Sequence, residues 1–404
     1  MFDKENLYAD ATAHQAKGVS SKWRMIFALL AVLGGVSFIM GIMSESPERA
    51  WQVYLVNFLY FTGLAQGMVV FAVILQMANA RWGRVLKRLA ELGAYFLPLS
   101  LVFLIILYFG RLHLFSWIEH PVPIPQKQTW LQFPFLFTRD FIGFLILAVL
   151  SFAFLKLSTS ADGKDGVEIG KLTFAKSTKL APAIVISYTL IYSLIAFDLI
   201  MSLDPHWFST LFGGYYFITT FLSALCCLMV ISVLAKKYLN MDQYITSNQT
   251  FDLGKLMFGF TVMSGYLFWS QFLPIWYGNL PEETVFVILR IRTKPWSYLA
   301  KFVFAFGFII PFVLLLSQSL KRKPNLIITV AFITLIGLWG ERFLLIAPSI
   351  WHEQSIPIGI SEILISFGFL GIFGLVYLFA IQRHAILPIN DPFMHEHLEG
   401  YPNH

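Results

Sequence analysis

Ten long apolar stretches fill most of this 404-residue chain, and they constrain its fold more than any other feature. A helix needs about 20 apolar residues to cross the hydrocarbon core of a bilayer, and polar loops separate each stretch from the next. The sequence therefore predicts an all-α integral membrane protein with ten transmembrane helices. The apolar stretches cover residues 23–42, 53–77, 92–108, 133–157, 180–203, 212–234, 256–273, 296–316, 326–346 and 358–381.

The composition agrees with a membrane protein and argues against a nucleic-acid partner. Hydrophobic residues make up 57% of the chain and charged residues only 13%, whereas a soluble domain carries about twice that charged fraction. The net charge of +6 arises from Lys and Arg in the loops of one side. Such a bias is a signal of membrane topology.

The same basic residues predict the orientation of the chain. If the N-terminus is cytoplasmic, most of the 29 Lys and Arg residues lie on the cytoplasmic side, as cytoplasmic loops require. Both termini are then cytoplasmic. Residues 1–22 form an N-terminal segment, residues 23–381 the transmembrane domain, and residues 382–404 a C-terminal tail.

A small set of ionisable residues lies within the apolar stretches or at their ends, all in the predicted outer part of the bilayer. A charge in hydrocarbon costs several kcal/mol unless it is paired or hydrated, so these residues are candidates for a proton path. The set consists of Arg139, Asp140, Asp198, Glu341, Arg342 and Glu362, and the nearby His206 joins it as a residue that titrates near neutral pH.

Asp198 has no basic residue within one helical turn. Its partner must therefore come from another helix, or the carboxyl must be protonated. A structural ion pair between helices is the alternative to a proton-exchange role. Arg139 with Glu341, or Asp198 with Arg342, are the pairs that the sequence suggests.

A faint internal repeat predicts two similar halves. Asp198 precedes Pro205 by seven positions, and Glu341 precedes Pro348 by seven. Helices two to five, at about residues 51–203, and helices six to nine, at about 209–347, would form two four-helix bundles inserted in the same sense. Helices one and ten would then be peripheral.

Three polar segments near the predicted outer surface complete the candidate sites. Asp204 and Pro205 are typical of a helix start. Pro281 opens a second helix within residues 280–294, a charged segment that we expect to dock another subunit. Ser270 and Gln271 precede that segment and could bind a quinone head group, although polar packing between helices is the alternative.

The positions of histidine and cysteine predict that this chain binds no haem, iron–sulfur cluster or metal. A membrane haem needs an axial ligand, usually His, and all nine histidines lie in loops, tails or helix ends. The two cysteines, Cys226 and Cys227, are adjacent within an apolar stretch. Any electron transfer would use cofactors on other subunits or a diffusible quinol.

Three segments resemble a known family. The longest is residues 270–284, which contains Ser-Gln-Phe-Leu, Ile-Trp-Tyr-Gly-Asn and Pro-Glu-Glu-Thr; residues 202–210 and 49–88 match more loosely. Together they resemble the NrfD-like membrane subunits of alternative complex III, a bacterial quinol:cytochrome c oxidoreductase. The match is closest to the smaller of its two such subunits, ActF.

This resemblance implies a ten-helix subunit of the bacterial inner membrane that has no redox cofactor of its own. Its implied partners are a larger NrfD-like subunit, an iron–sulfur subunit, multihaem cytochrome c subunits and a terminal oxidase. Menaquinol would be the substrate of the complex. The larger subunit is the better candidate for the quinol site, and the ActF-like subunit is a candidate proton path.

Two other function classes stay open at this point. A proton-coupled secondary transporter would suit the repeat and the buried carboxylates, but transporters usually have broken helices near the midplane. A purely structural membrane anchor for electron-transfer subunits is the third reading. Copurification with haem-bearing partners separates the first from the second, and mutants of the intact complex separate the first from the third.

Overall fold

Ten long helices form the protein, as the apolar stretches predict. The computed structural model describes residues 20–121, 125–162, 167–353, 355–388 and 390–394; the remainder of the two predicted tails lies outside this part of the chain. Within it there is no strand. The helices, each long and apolar enough to cross a membrane, are α1 Ser21–Ile42, α2 Pro47–Met77, α3 Arg84–Phe109, α4 Phe133–Thr159, α5 Glu168–Leu203, α6 Phe212–Leu239, α7 Ser247–Gly278, α8 Trp296–Leu316, α9 Pro324–Ile350 and α10 Ile360–Arg383.

Contacts between the helices group them into two sets of four. In the first set α2 packs on α3, α3 on α4, α4 on α5 and α5 on α2; in the second, α6, α7, α8 and α9 close a ring in the same way. The sets meet where α2 and α5 contact α6 and where α2 contacts α9. Helix α2 is the most buried span, which explains why it carries paired polar side chains.

Glycines bring α1 and α10 together at the edge of the molecule. A Cβ added at Gly34 would lie 2.3 Å from the Cα of Gly368, so the two backbones touch. The Ser37 and Ser361 hydroxyl groups share a hydrogen bond of 3.0 Å near the same contact. Helix α1 has few other neighbours and is largely exposed, as a lipid-facing peripheral helix would be.

The predicted cytoplasmic ends of α3 and α4 carry a buried cluster of charges that the apolar pattern did not predict. Helix α3 begins at Arg84, eight residues before its apolar stretch, because Arg84, Lys87 and Arg88 are buried and paired. Arg88 donates to Asp162 at 2.5 and 3.2 Å. The segment after α10 packs under this cluster, where Asp391 contacts Arg84 at 3.4 Å and Lys87 at 3.6 Å.

Candidate functional site

A bidentate ion pair joins α4 to α5 near their predicted outer ends. Arg139 donates from Nε to Oδ2 of Asp198 at 2.5 Å and from Nη2 to Oδ1 at 2.5 Å. Asp198 is fully buried and lies in a π-helical turn, Ala196–Ile200, at the end of α5. Such a turn widens the helix locally and is frequent at functional sites. Arg139 is therefore the partner of Asp198, and both residues belong to the first set of four helices.

Trp130 covers this pair from the loop before α4. Its Nε1 donates to Oδ1 of Asp198 at 2.9 Å, and its ring lies 3.8 Å from the Arg139 guanidinium. Its carbonyl also accepts from Nη1 of Arg139 at 3.2 Å. Trp130 is 40% exposed, so its indole lies between the buried Asp198 carboxylate and the surface, whereas the Arg139 side chain is itself 13% exposed. Nothing in the sequence marked this tryptophan, because its contacts are distant along the chain.

Asp140 is the unusual member of the group. It is 2% exposed and its carboxyl contacts the Asp198 carboxyl, yet no N–H or hydroxyl group of the described residues donates to either of its oxygens. A buried polar group without a partner costs free energy. Two carboxylates beside one guanidinium also leave a net negative charge, which a single bound proton would neutralise. The arrangement can therefore hold a proton between Asp140 and Asp198.

Glu341 and Arg342 form a second buried site at the corresponding end of α9. Arg342 donates to Oε2 of its neighbour Glu341 at 3.0 Å and to the hydroxyl groups of Thr219 and Thr220 at 2.9 Å each. The suggested pairs of Arg139 with Glu341 and of Asp198 with Arg342 are therefore wrong. The long side chains of adjacent helical residues can converge although their Cβ atoms diverge, and α6 supplies hydroxyl acceptors for Arg342.

A row of tyrosines lies beside this second site, between the two bundles. The Arg342 guanidinium lies 4.4 Å from the Tyr216 ring. Tyr216 stacks on Tyr192 at 6.1 Å, and Tyr192 contacts Tyr188 at 4.6 Å. Tyr192 donates to the carbonyl of Thr62 on α2 at 3.1 Å. The row thus links α5, α6 and α2; sequence reasoning missed it because single tyrosines in apolar stretches have no distinctive pattern.

The remaining acidic candidate, Glu362, lies apart from both sites. It pairs with Arg49 at 2.8 Å and accepts from the backbone N–H of Gly359 at 2.7 Å, at the start of α10. These contacts join α10 to α2 and cap a helix. His206 is exposed in the loop between α5 and α6. The helix start predicted at Asp204 is wrong, because α6 begins at Phe212.

The quinone candidates lie at the end of α7. Gln271 is half-buried, accepts from the Ser209 hydroxyl at 3.2 Å and donates weakly to the Leu267 carbonyl at 3.4 Å. Ser270 is also half-buried. The helix predicted after Pro281 is present as Pro281–Ile291. No three His, Cys, Asp or Glu side chains gather into a metal-sized group in the described ranges.

A comparison with known families accounts for this architecture. The family model described as "Polysulphide reductase, NrfD" matches residues 41–352, from the end of α1 to just after α9. No curated protein matches the chain. The family model covers more than half of the chain and includes both buried-charge sites. This protein therefore belongs to the NrfD family, whose members are membrane subunits of quinone-linked respiratory reductase complexes.

Proposed function

We propose that this chain is an ActF-like membrane subunit of an alternative complex III, and that Arg139, Asp140 and Asp198 exchange a proton on its outer side. The observation that carries the proposal is the Asp140 carboxyl, which is buried in contact with the Asp198 carboxyl and accepts no hydrogen bond from an N–H or hydroxyl group of the described residues. Intramembrane carboxylates are functional candidates by default, and two carboxyls in contact can share a proton.

The two carboxyls make different contacts, and we assign them different roles on that basis. Asp198 accepts three hydrogen bonds, two from Arg139 and one from Trp130, and these donors favour its ionised form. Asp140 lacks such donors, so it is the member that would bind and release the proton. Arg139 then holds Asp198 in place, and Trp130 limits the access of water.

Glu341 is a second protonatable group in this proposal. One of its oxygens accepts from Arg342, and the hydroxyl groups of Tyr215 and Thr219 lie beside the carboxyl. The tyrosine row beside Arg342 lies between the two bundles. Glu362 and His206 stay outside the proposed proton group, since one caps a helix and the other is exposed.

The redox centres would lie on partner subunits. The partners in this proposal are the larger NrfD-like subunit, an iron–sulfur subunit and multihaem cytochromes, with menaquinol as the substrate of the complex. Helix Pro281–Ile291 offers a docking surface, because Glu282, Val285 and Ile288 on it are exposed. Ser270 and Gln271, directly before that helix, stay candidates for contact with a quinone head group.

Copurification tests membership of a complex. The protein extracted in mild detergent and isolated by a tag should carry c-type haem absorbance and iron. A proton-coupled transporter would purify without either. If the purified protein contains no haem and, reconstituted in vesicles, takes up a solute when a pH gradient is imposed, the protein is a transporter and our proposal is wrong.

Substitution in the intact complex tests the proton group. Asp140→Asn keeps the shape and removes titration, so quinol turnover or proton release should fall while the subunit composition is unchanged. Asp198→Asn should give a similar defect, and the double variant should be no worse than either single variant. Glu362→Gln is the matched control and should keep full activity, since Glu362 caps α10.

The bidentate geometry of Arg139 and Asp198 favours one competing function, a structural anchor. If Asp140→Asn keeps full turnover and proton release, the proton role is wrong. If both Asp variants instead lose subunits with no change in activity per intact complex, the charges serve assembly only.

A further inference from the structure

An open groove lies at the predicted outer surface, between the start of α8 and the residues that follow α9. Its volume is about 680 Å³, within the range of pockets that hold small molecules. Three aromatic residues of the kind found at membrane interfaces line it together with three ionisable ones. These residues are Lys294, Trp296, Tyr298, Trp351, His352 and Glu353.

A second lysine continues the groove into the membrane-spanning part of α8. Lys301 follows Tyr298 by three residues on α8 and so lies on the same side of that helix, whereas Lys294 lies in the turn before α8. Both lysines are exposed. Lys301 lies 5.8 Å from the Tyr298 ring, and within the described residues neither lysine has a carboxylate within ion-pair distance. An exposed ammonium at this depth must extend towards the phosphate level of the bilayer.

We propose that this groove binds the headgroup of a phospholipid that carries both a phosphate and an amine, as ethanolamine phospholipids do. Lys294 and Lys301 on one side supply positive charge for the phosphate. Glu353 on the other side is exposed and supplies a carboxylate for the ammonium group. The mixed charge favours this headgroup over a purely anionic one.

The surface below the groove suits the acyl chains of the same lipid. Phe304 follows Lys301 by three residues on α8 and is 52% exposed. A lipid seated in the groove would therefore lay its chains along α8. The inference needs only the membrane location of the chain, so it stands or falls independently of quinol oxidation.

Retention of lipid tests the proposal. The full-length protein, purified with whichever subunits accompany it, is washed in detergent, and the bound phospholipid is identified by native mass spectrometry. The wild type should keep an ethanolamine phospholipid that Lys294→Gln/Lys301→Gln loses, with binding about thirtyfold weaker, since each of the two lysines near phosphate contributes on the order of 1 kcal/mol. Lys171→Gln/Lys176→Gln removes two exposed lysines of α5 at the opposite end of the spans and should keep the lipid.

Titration of added ligand separates the possible sources of phosphate. Ethanolamine phospholipid should raise the thermal unfolding midpoint of the delipidated wild type, and glycerol phospholipid should do so less. Glu353→Gln should abolish that preference. Equal lipid retention in both double-lysine variants would overturn the proposal. Stabilisation by inorganic phosphate alone, with no gain from lipid, would also overturn it.

Discussion

Two clusters of buried charged residues, one at each predicted end of the membrane-spanning part, differ in their ratio of cations to anions. At the predicted cytoplasmic end three cations contact three anions: Arg84, Lys87 and Arg88 with Glu91, Asp162 and Asp391. At the predicted outer end Arg139 alone faces Asp140 and Asp198. The charges of the first cluster cancel, whereas the second keeps a net negative charge, which a proton would neutralise in the function proposed above.

The energetic role of the Arg139–Asp198 pair can be measured by a double-mutant cycle. Arg139→Gln leaves a buried carboxylate without its cation and should destabilise the protein by about 3–5 kcal/mol. Arg139→Gln/Asp198→Asn removes both charges and should be more stable than Arg139→Gln alone. The readout is the free energy of unfolding of the purified protein. Additive effects of the two substitutions would show that the pair is not coupled.

His384, directly after α10, gives the protein a predictable response to acid. Its Nε2 shares a 2.7 Å hydrogen bond with the Tyr95 hydroxyl. Burial, aided by the nearby Arg88, lowers the pKa of His384 from its usual value of 6.5. The unfolded chain therefore binds this proton at a higher pH than the folded protein does. The free energy of unfolding should fall as the pH drops below about 6.5.

The pH dependence of unfolding checks this prediction. His384→Gln should show a smaller loss of stability between about pH 7.5 and 5.5 than the wild type, by the slope of one proton. The other ionisable groups around His384 are Asp162, Glu91 and Arg383. His120→Gln, at an exposed histidine, is the control and should keep the wild-type slope. An unchanged slope in His384→Gln would assign the effect to another group.

At the scale of elements, the helices could be predicted from the sequence, but several of their ends could not. Hydrocarbon length sets the apolar cores, which is why all ten spans were found. Helix α3 starts at Arg84 and α5 reaches back to Glu168, well outside those cores. The α3 extension is held by pairs such as Arg88 with Asp162, 74 positions apart, and the α5 extension by contacts such as Gln76 with Ser177, 101 positions apart. No local pattern encodes such distances.

The same reasoning explains what was predictable in the candidate site. Asp198 stands out because it is an isolated charge in an apolar stretch, and Arg139 and Asp140 because they are adjacent charges in another. The sequence required either a partner for Asp198 from another helix or a protonated carboxyl. The choice of partner was wrong because it depends on how the bundles pack. Trp130 joins the site through a contact from a loop. Aromatic residues are so common in this chain that the sequence alone does not single out this tryptophan as a site residue.

The contact between α1 and α10 depends on a glycine that has no room for a side chain. Gly34→Val would place its Cβ about where Gly368 now lies, 2.3 Å from that Cα, so the helices must separate. A disulfide between Ser37→Cys and Ser361→Cys reports the contact, because the two hydroxyl oxygens lie 3.0 Å apart. Gly34→Val should lower the yield of that disulfide severalfold.

The adjacent glycine provides the control for this experiment. A Cβ at Gly35 meets nothing within 4 Å, so Gly35→Val should leave the disulfide yield unchanged. Both substitutions add the same isopropyl side chain to the same helix. Equal yields in the two variants would mean that α1 and α10 are not held by this close approach.

Arg290 attaches helix Pro281–Ile291 to the end of α9. Pro348 has no N–H for the Leu344 carbonyl, and Arg290 donates to that oxygen at 3.1 Å and to the Leu345 carbonyl at 2.8 Å. Its guanidinium also lies 3.3 Å from the Phe286 ring. Burial lowers the pKa of Arg290 to about 9, which leaves it charged at neutral pH. It therefore compensates for the hydrogen bond that the proline removes.

Substitution of Arg290 should detach this helix. Arg290→Met leaves the Leu344 carbonyl without a donor and removes the bond to the Leu345 carbonyl, which should cost at least about 2 kcal/mol, with faster proteolysis near residue 292. Arg290→Lys should rescue little, since one ammonium cannot reproduce the planar fork. Arg292→Met, at an exposed arginine two residues away, should behave as the wild type. If it is equally damaging, the loss reflects charge rather than these contacts.

At the scale of the whole molecule, the two bundles share one orientation but have different buried sites. In bundle one the ion pair joins α4 to α5, whereas in bundle two Arg342 of α9 reaches α6 at the contact between bundles. The buried charges of bundle two are therefore not a copy of the Arg139, Asp140 and Asp198 group of bundle one. The unbalanced group lies at one end only, so its role depends on which side of the membrane that end faces.

Labelling of single cysteines decides this question. The basic loops predict that Lys323 faces the cytoplasm and Glu282 the outer side, and both side chains are exposed. The native Cys226 and Cys227 are buried, so they can be replaced by Ala without removing a surface residue. In intact cells an impermeant thiol reagent should label Glu282→Cys and spare Lys323→Cys, and permeabilised cells should label both. Labelling of Lys323→Cys alone in intact cells would invert the topology. Asp140 would then exchange protons with the cytoplasm, and outer-side proton release would be excluded.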